Sequence, residues 1–188
     1  MFKGMLKNMG ADQVTISSSG EAAIVRCSEQ PFDIIFIDYN LGSGRNGRQL
    51  YEELKERRLI PSHNVSIIVT GESMSSMVVG ALEIQPDDYI VKPFSQSLLK
   101  QRVSRIWYKK QALLDVIDHM ERKDYDLALN AVNAVIQEHP RLKALCLKFK
   151  AEILFKQRQF DVLNVFLDDI LAQNRISWAL IYKSKVLQ

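Results

Sequence analysis

An aspartate, a threonine and a lysine stand at the ends of three short apolar runs. Residues 32–37 (Phe32 to Ile37) run into Asp38, residues 65–69 (Val65 to Val69) into Thr70, and Tyr89-Ile90-Val91 into Lys92-Pro93-Phe94. Runs this short, apolar and rich in β-branched residues read as buried strands of a parallel sheet. In such a sheet, function collects in the crevice outside the carboxyl ends of the strands. A carboxylate, a hydroxyl and an ammonium therefore converge on one edge. That set suits reversible phosphorylation of an aspartate: Asp38 as nucleophile, Thr70 hydrogen-bonding a phosphoryl oxygen, and Lys92 neutralising its charge.

The elements that must position these residues alternate through the first half of the chain. Phe2 to Met9 reads as a helix stopped by Gly10, and Val14-Thr15-Ile16 as a short strand. Ser19 or Ser18 is a candidate N-cap for a helix through Cys27. After strand 32–37 comes a polar, glycine-rich loop, residues 42–47, then a charged amphipathic helix from Gln49 to Arg58. Ser73 to Leu82 reads as a further helix, and Pro86-Asp87-Asp88 as the turn into the strand 89–91. Asp33 likewise reads as a turn residue, because both it and the Asp87-Asp88 pair lie at the entry edge of their strands. Alternation of this kind predicts a doubly wound α/β domain.

From Ser95 the pattern becomes helical only. Leu99, Val103, Ile106, Leu113, Leu114, Ile117 and Met120 recur at helical spacing, which predicts one helix from Ser95 to about Arg122. A basic cluster, Lys100, Arg102, Arg105, Lys109 and Lys110, lies on it. It reads as a solvated or docking face before it reads as a nucleic-acid site, because the net charge of the chain is only +3. The last third repeats: Lys123-Asp124-Tyr125-Asp126 aligns with Arg158-Gln159-Phe160-Asp161, a spacing of 35 residues. The same register matches Ile136 with Leu171 and Ala144 with Ala179. A period near ~34 residues with two helices per unit is the signature of tetratricopeptide-like repeats, and an unrelated helical bundle is the alternative. The chain thus divides into residues 1–106 and an all-α repeat region over residues 107–188.

Bulk properties narrow the function classes. At 47% hydrophobic, 188 residues can bury a proper core. No stretch approaches the roughly 18 to 20 continuous apolar residues of a membrane span. The opening MFKGMLKNMG has no apolar signal core. Cys27 and Cys146 are far apart and fit a reduced, cytoplasmic protein. His63, His119 and His139 lack metal-ligand spacing. No nucleotide-binding loop and no nucleophile–histidine pair point to an enzyme, so none is expected beyond self-catalysed transfer to Asp38 and hydrolysis there.

Residues 1–106 resemble the receiver domain of bacterial two-component response regulators. The resemblance is carried by Phe36-Ile37-Asp38, Asn46-Gly47, Val69-Thr70-Gly71, the run from Asp87 to Phe94, and Ser19-Gly20-Glu21-Ala22-Ala23. It implies a flavodoxin-like parallel sheet, Asp38 as acceptor of a phosphoryl group from a sensor histidine kinase, and Thr70 and Lys92 as switch hydroxyl and switch lysine. Tyr89 matches the family's aromatic switch position, with an ordinary strand aromatic as the alternative. The loop after Asp38 lacks the usual proline and looks one residue longer, which predicts a small adjustment of the loop.

A second departure is larger. Receivers begin with a strand ending in a pair of acidic residues, which hold Mg²⁺ together with the acceptor aspartate. Here the chain begins in what should be the following helix, and that strand is missing. Asp38 and the backbone carbonyl of Asn40 are the ligands left, so Mg²⁺ binding in this chain is expected to be weak or absent. The family's strand order, 2-1-3-4-5, also places the missing strand between the two that flank it. Its loss leaves open edges that invite a second chain, so a homo-oligomer is expected. The start and the half-built third repeat point to a fragment of a longer protein.

Two functions follow. In the first, phosphorylation of Asp38 changes the face around Thr70 and Tyr89, and the repeats read that change out by binding a protein rather than DNA. The alternative is a degenerate receiver that is never phosphorylated and serves as an assembly scaffold.

Overall fold

The computed structural model describes residues 2–42, 45–71 and 86–186. The helix expected over 73–82 and two loop residues, Ser43 and Gly44, lie outside the described residues. The chain falls into two compact units, Met1–Lys110 and Gln111–Gln188.

In the first unit β1 (Ile34–Asp38), β2 (Val65–Thr70) and β3 (Asp88–Val91) form a parallel sheet in the order β1-β2-β3. Every residue of β2 is buried, as a central strand covered on both faces requires. Alternate residues serve opposite faces. Ile34, Phe36, Val65, Ile67, Val69 and Ile90 pack against α1 (Phe2–Asn8) and α4 (Gln96–Ala112) through residues such as Leu99, Val103 and Ile106. Ile35, Ile37, Ile68 and Tyr89 pack against α2 (Gly20–Glu29) and α3 (Gly47–Glu56), where Leu50, Tyr51 and Leu54 are buried. Phe2 anchors α1 edge-on to Phe36 and Phe94, with ring centroids 5.0 and 5.9 Å apart. The Ser19 hydroxyl caps α2 by accepting from the Ala22 N–H at 3.2 Å.

Val14-Thr15-Ile16 does not form the expected strand. The segment joins no sheet, and Ile16 is 70% exposed. The strand beside which the family order would place it is not among the described residues, so no ladder is available to it. Among the described residues no strand pairs with the outer side of β1. Asp33 O accepts from Val65 N–H and Tyr39 N–H donates to Val69 O, so the odd-numbered residues face β2. The N–H and C=O groups of Ile34, Phe36 and Asp38 point to the outer edge instead.

The long helix expected from Ser95 to Arg122 is broken. α4 ends at Ala112, Leu113 leaves helical geometry at φ −104° and ψ 7°, and α5 runs Leu114–Arg122. The apolar stripe looked continuous because Lys110 occupies the in-phase position between Ile106 and Leu113. Its ammonium donates to Ser62 O at 2.6 Å and pairs with Asp87 at 2.9 Å. Leu113 is buried with Val116 and Ile117 in a different core from that of Leu99, Val103 and Ile106.

In the second unit α5 is followed by α6 (Tyr125–Glu138), a 3-10 turn (Pro140–Leu142), α7 (Lys143–Lys156), α8 (Phe160–Gln173) and α9 (Ser177–Val186). The 35-residue register holds through the turns and through α6 and α8. Lys123 and Arg158 both adopt left-handed conformations, at φ 64° and 57°. Asp124 N–H donates to His119 O, and Gln159 N–H to Leu154 O. Ala128, Val132 and Val135 are buried where Leu163, Leu167 and Ile170 are buried one repeat later. The register fails in the next helix: Ala179 is buried but Ala144 is exposed. The connections differ, a 3-10 turn built on Pro140 in one case and residues 174–176 in the other, so α7 and α9 start in different phases.

Candidate functional site

Each functional side chain is placed by the end of a strand. Asp38 closes β1 and stands opposite Val69; Thr70 closes β2 and stands opposite Val91; Lys92 follows β3 directly. Lys92 N–H donates to Thr70 O at 2.7 Å, which fixes the start of the lysine side chain beside the threonine. The Lys92 ammonium then reaches across and forms an ion pair with Asp38 Oδ2. The side chains of this pair are 46% and 42% exposed, so the contact adds little to fold stability. It brings the cation to the Asp38 carboxylate. Thr70 is 1% exposed, at the floor of the same edge.

The loop after Asp38 holds the carboxylate from the other side. Asn40 N–H donates to Asp38 Oδ1 at 3.2 Å, and Asn40 Oδ1 accepts from Gly42 N–H at 3.1 Å. Gly42 has φ +89°, which glycine adopts without penalty. Asn46 closes the loop by starting α3 with a capping box: its side chain accepts from Gln49 N–H, and the Gln49 side chain accepts from Asn46 N–H, both at 2.9 Å. Gly47 N–H donates to Tyr39 O at 2.8 Å. A Cβ at Gly47 would lie 2.3 Å from Asp38 O and 2.8 Å from Tyr39 Cα, so only glycine permits this approach. The Asn46-Gly47 pair was visible in the sequence; its direct contact with the backbone of Asp38 was not.

Tyr89 stands opposite Ile68 in the sheet and packs, half-buried, with Tyr39, Leu50 and Tyr51. Burial raises its hydroxyl pKa, the nearby Arg48 opposes that, and Tyr39 and Glu52 add to the rise, so the phenol stays neutral at physiological pH. Arg48 and Glu52 are themselves paired at 2.7 Å on α3. They are neighbours of Tyr89 that spacing alone did not reveal.

The acidic residues at the opposite edge are more than turn residues. Asp88 opens β3, and both its oxygens accept from Arg102 Nη1 at 2.9 Å, with Arg105 3.4 Å away. Asp87 accepts from Ser66 N–H at 2.8 Å and pairs with Lys110. Both carboxylates clamp α4 along the sheet, and three residues of the basic cluster are used in doing so. Asp33 remains an exposed residue at the entry of β1, its carbonyl accepting from Val65 N–H.

Asp38 and the Asn40 carbonyl are the oxygens expected to face Mg²⁺ at the carboxyl edge. Among the described residues Asp38 supplies a single carboxylate there, already shared between Lys92 and Asn40 N–H. Mg²⁺ gives up its waters reluctantly and is drawn in by carboxylates, of which this edge offers one among the described residues.

Residues 1–104 match the family described as response regulator receiver domain. Response regulator ArlR of Staphylococcus epidermidis is 30% identical over 105 residues, which cover 56% of this chain and 45% of that protein. Chemotaxis protein CheY of Pseudomonas aeruginosa is 25% identical over 108 residues, covering 57% of this chain and 85% of that protein. This chain therefore spans less than half the length of ArlR. The N-terminal domain of a response regulator/sensory box/GGDEF 3-domain protein from Carboxydothermus hydrogenoformans superposes with a TM-score of 0.52 at 22% identity, over 60% of this chain and 87% of that one. A CheY-like receiver from Methanospirillum hungatei gives 0.51 at 22% identity, over 58% and 83%. These two likenesses concern the fold alone. With its parallel sheet, its flanking helices and the family match over residues 1–104, the chain belongs to the response regulator receiver domain family.

Proposed function

We propose that the chain is a two-component response regulator in which Asp38 accepts a phosphoryl group and the helical unit reports the change by binding a protein. The observation that carries this reading is the Asp38–Lys92 ion pair beside Thr70 at the carboxyl edge of the sheet. The donor is a sensor histidine kinase. An Asp38 oxygen attacks the phosphorus, its new P–O bond replacing the P–N bond of the phosphohistidine, and the imidazole leaves with the electron pair. Lys92 moves from carboxylate to phosphoryl oxygen, and the Thr70 hydroxyl donates to another. Water later cleaves the acyl phosphate and regenerates Asp38. Apart from this self-catalysed exchange we assign no enzymatic activity.

The test appends a receiver's first strand, with its acidic pair, to residues 1–188 and supplies radiolabelled acetyl phosphate and Mg²⁺. Label is expected on the parent and none on Asp38→Asn. Label retained by Asp38→Asn overturns the assignment.

A second reading, an unphosphorylated scaffold, is favoured by one feature: a single carboxylate stands at the site among the described residues. The same experiment separates the two, since a scaffold takes no label in any form.

The output half reads as tetratricopeptide-like, supported by the repeated left-handed turns at Lys123 and Arg158 and the paired burial of α6 and α8. Such units bind proteins rather than DNA, and Arg102, Arg105 and Lys110 are occupied by Asp87 and Asp88. No helix among the described residues is long and apolar enough to cross a membrane, and we place the protein in the cytoplasm. The open edge of β1 and the exposed Leu180 and Ile181 favour a homo-oligomer. Light scattering across a concentration series is expected to show a mass rising above the monomer. A monomeric mass at every concentration would remove this part of the proposal.

A further inference from the structure

The helical unit sorts its charge by helix. α6 and α8 contain Asp126, Glu138, Asp161, Asp168 and Asp169 and no lysine or arginine. The lysines carried by helices sit on α7 and α9, where Glu152 is the lone acid, and Lys123 and Arg158 stand in the turns before α6 and α8. On the two acidic helices three aliphatic side chains stand in solvent: Leu127 at 51%, Val162 at 55% and Val165 at 64% exposure. None of them joins either core of the unit. Leu127 and Val162 are the same position in successive repeats, and Val165 lies one turn beyond. Asp126 and Asp161 immediately precede the first two, and Asp169 follows Val165 by one turn.

These acids are not spent inside the fold. Lys183 takes Asp168 at 2.7 Å, and Asp126 accepts from the neutral Gln157 amide at 2.8 Å. Among the described residues no lysine or arginine pairs with Asp126, Asp161 or Asp169. Exposed aliphatics on successive repeats, each beside a carboxylate without a cation, ask for a ligand that carries both complements.

We infer that the outer face of α6 and α8 docks a cationic amphipathic helix. Its apolar stripe, at i, i+3, i+4 and i+7, seats on Leu127, Val162 and Val165, and its flanking lysines or arginines meet Asp126, Asp161 and Asp169. Helical faces have no free backbone groups to offer an extended peptide, so side chains must make the contact. Phosphate-bearing partners are repelled by the same acids. The inference rests on reading residues 107–188 as the protein-binding output and names the chemistry of its partner.

The test uses the full chain and three fluorescent peptides of about 20 residues, long enough to hold a helix. One is an amphipathic leucine–lysine helix, one the same with glutamate for lysine, and one a scramble of the first. The lysine helix should bind, the scramble about tenfold more weakly, and the glutamate helix not at all. Val162→Ser with Val165→Ser should weaken the lysine helix by about tenfold while leaving the circular dichroism unchanged, since both side chains are exposed. Asp161→Lys with Asp169→Lys should shift preference to the glutamate helix. Equal binding of lysine and glutamate helices, no binding of either, or affinity untouched by the valine pair overturns the inference. So does loss of self-association in the valine pair with no peptide binding in the parent, which would assign the face to a second copy. The broader output reading is judged separately, by whether the full chain captures a protein partner at all; capture that survives the valine pair keeps that reading and removes this face.

Discussion

Replacing Gly47 with alanine is expected to destabilise the first unit by about 3 kcal/mol, at the upper end of what overpacking costs. The cause is local and severe. The added methyl would sit 2.3 Å from Asp38 O, and the atoms it meets are backbone, which cannot rotate away as a side chain would. Relief requires moving either the start of α3 or the end of β1. The first breaks the Gly47 N–H bond to Tyr39 O and the Asn46 capping box; the second displaces Asp38 from Lys92. Urea unfolding of the full chain should show an early transition at lower denaturant while the helical unit holds its midpoint. Phosphoryl labelling of the strand-extended form should fall with it. A stability within about 0.5 kcal/mol of the parent would mean that the loop yields freely, and that the close approach does not position Asp38.

Leu163→Ala is expected to remove about 2–5 kcal/mol from the helical unit, the range for deleting a buried leucine side chain. Leu163 is fully buried, in a cluster with Leu154, Leu167 and Ala179. Its repeat partner is Ala128, equally buried in the other cluster. The two sites share backbone geometry and differ by the volume their neighbours leave, so alanine is at home in one and opens a cavity in the other. Thermal unfolding by circular dichroism at 222 nm should show the helical transition shifted down by several degrees or more, and the reverse substitution, Ala128→Leu, should also destabilise, through overpacking. Tolerance of both would mean that the clusters are loosely packed.

Much of the site was legible because strand ends are legible. A β-branched apolar run fixes where a strand stops, and Asp38, Thr70 and Lys92 each sit at such a stop. What escaped was contact that depends on two segments meeting. The Gly47 approach, the neighbourhood of Arg48 and Glu52 around Tyr89, and the clamp of Asp87 and Asp88 on α4 follow from tertiary placement, not spacing. Two misreadings share one origin. A strand was expected at Val14–Ile16 because its residues favour one, but a strand exists only against a neighbour. A single helix was expected through Leu113 because the apolar period continued, but period does not say which core each leucine enters. In the repeats the turn residues carried the signal well. The phase of α7 against α9 was hidden by unequal connections.

The distance along the chain between paired residues has a kinetic consequence. β1 meets β2 through Ile34 and Val65, and β2 meets β3 through Ile67 and Asp88, so the sheet closes only after loops of tens of residues have been brought together. In the helical unit each helix packs on the next one in sequence, with short connections. Local contacts form orders of magnitude faster than distant ones. When the full chain refolds from denaturant, the helical unit is therefore expected to regain its contacts before the sheet does. The Asp38 edge, which needs all three strands, is completed in the slower phase.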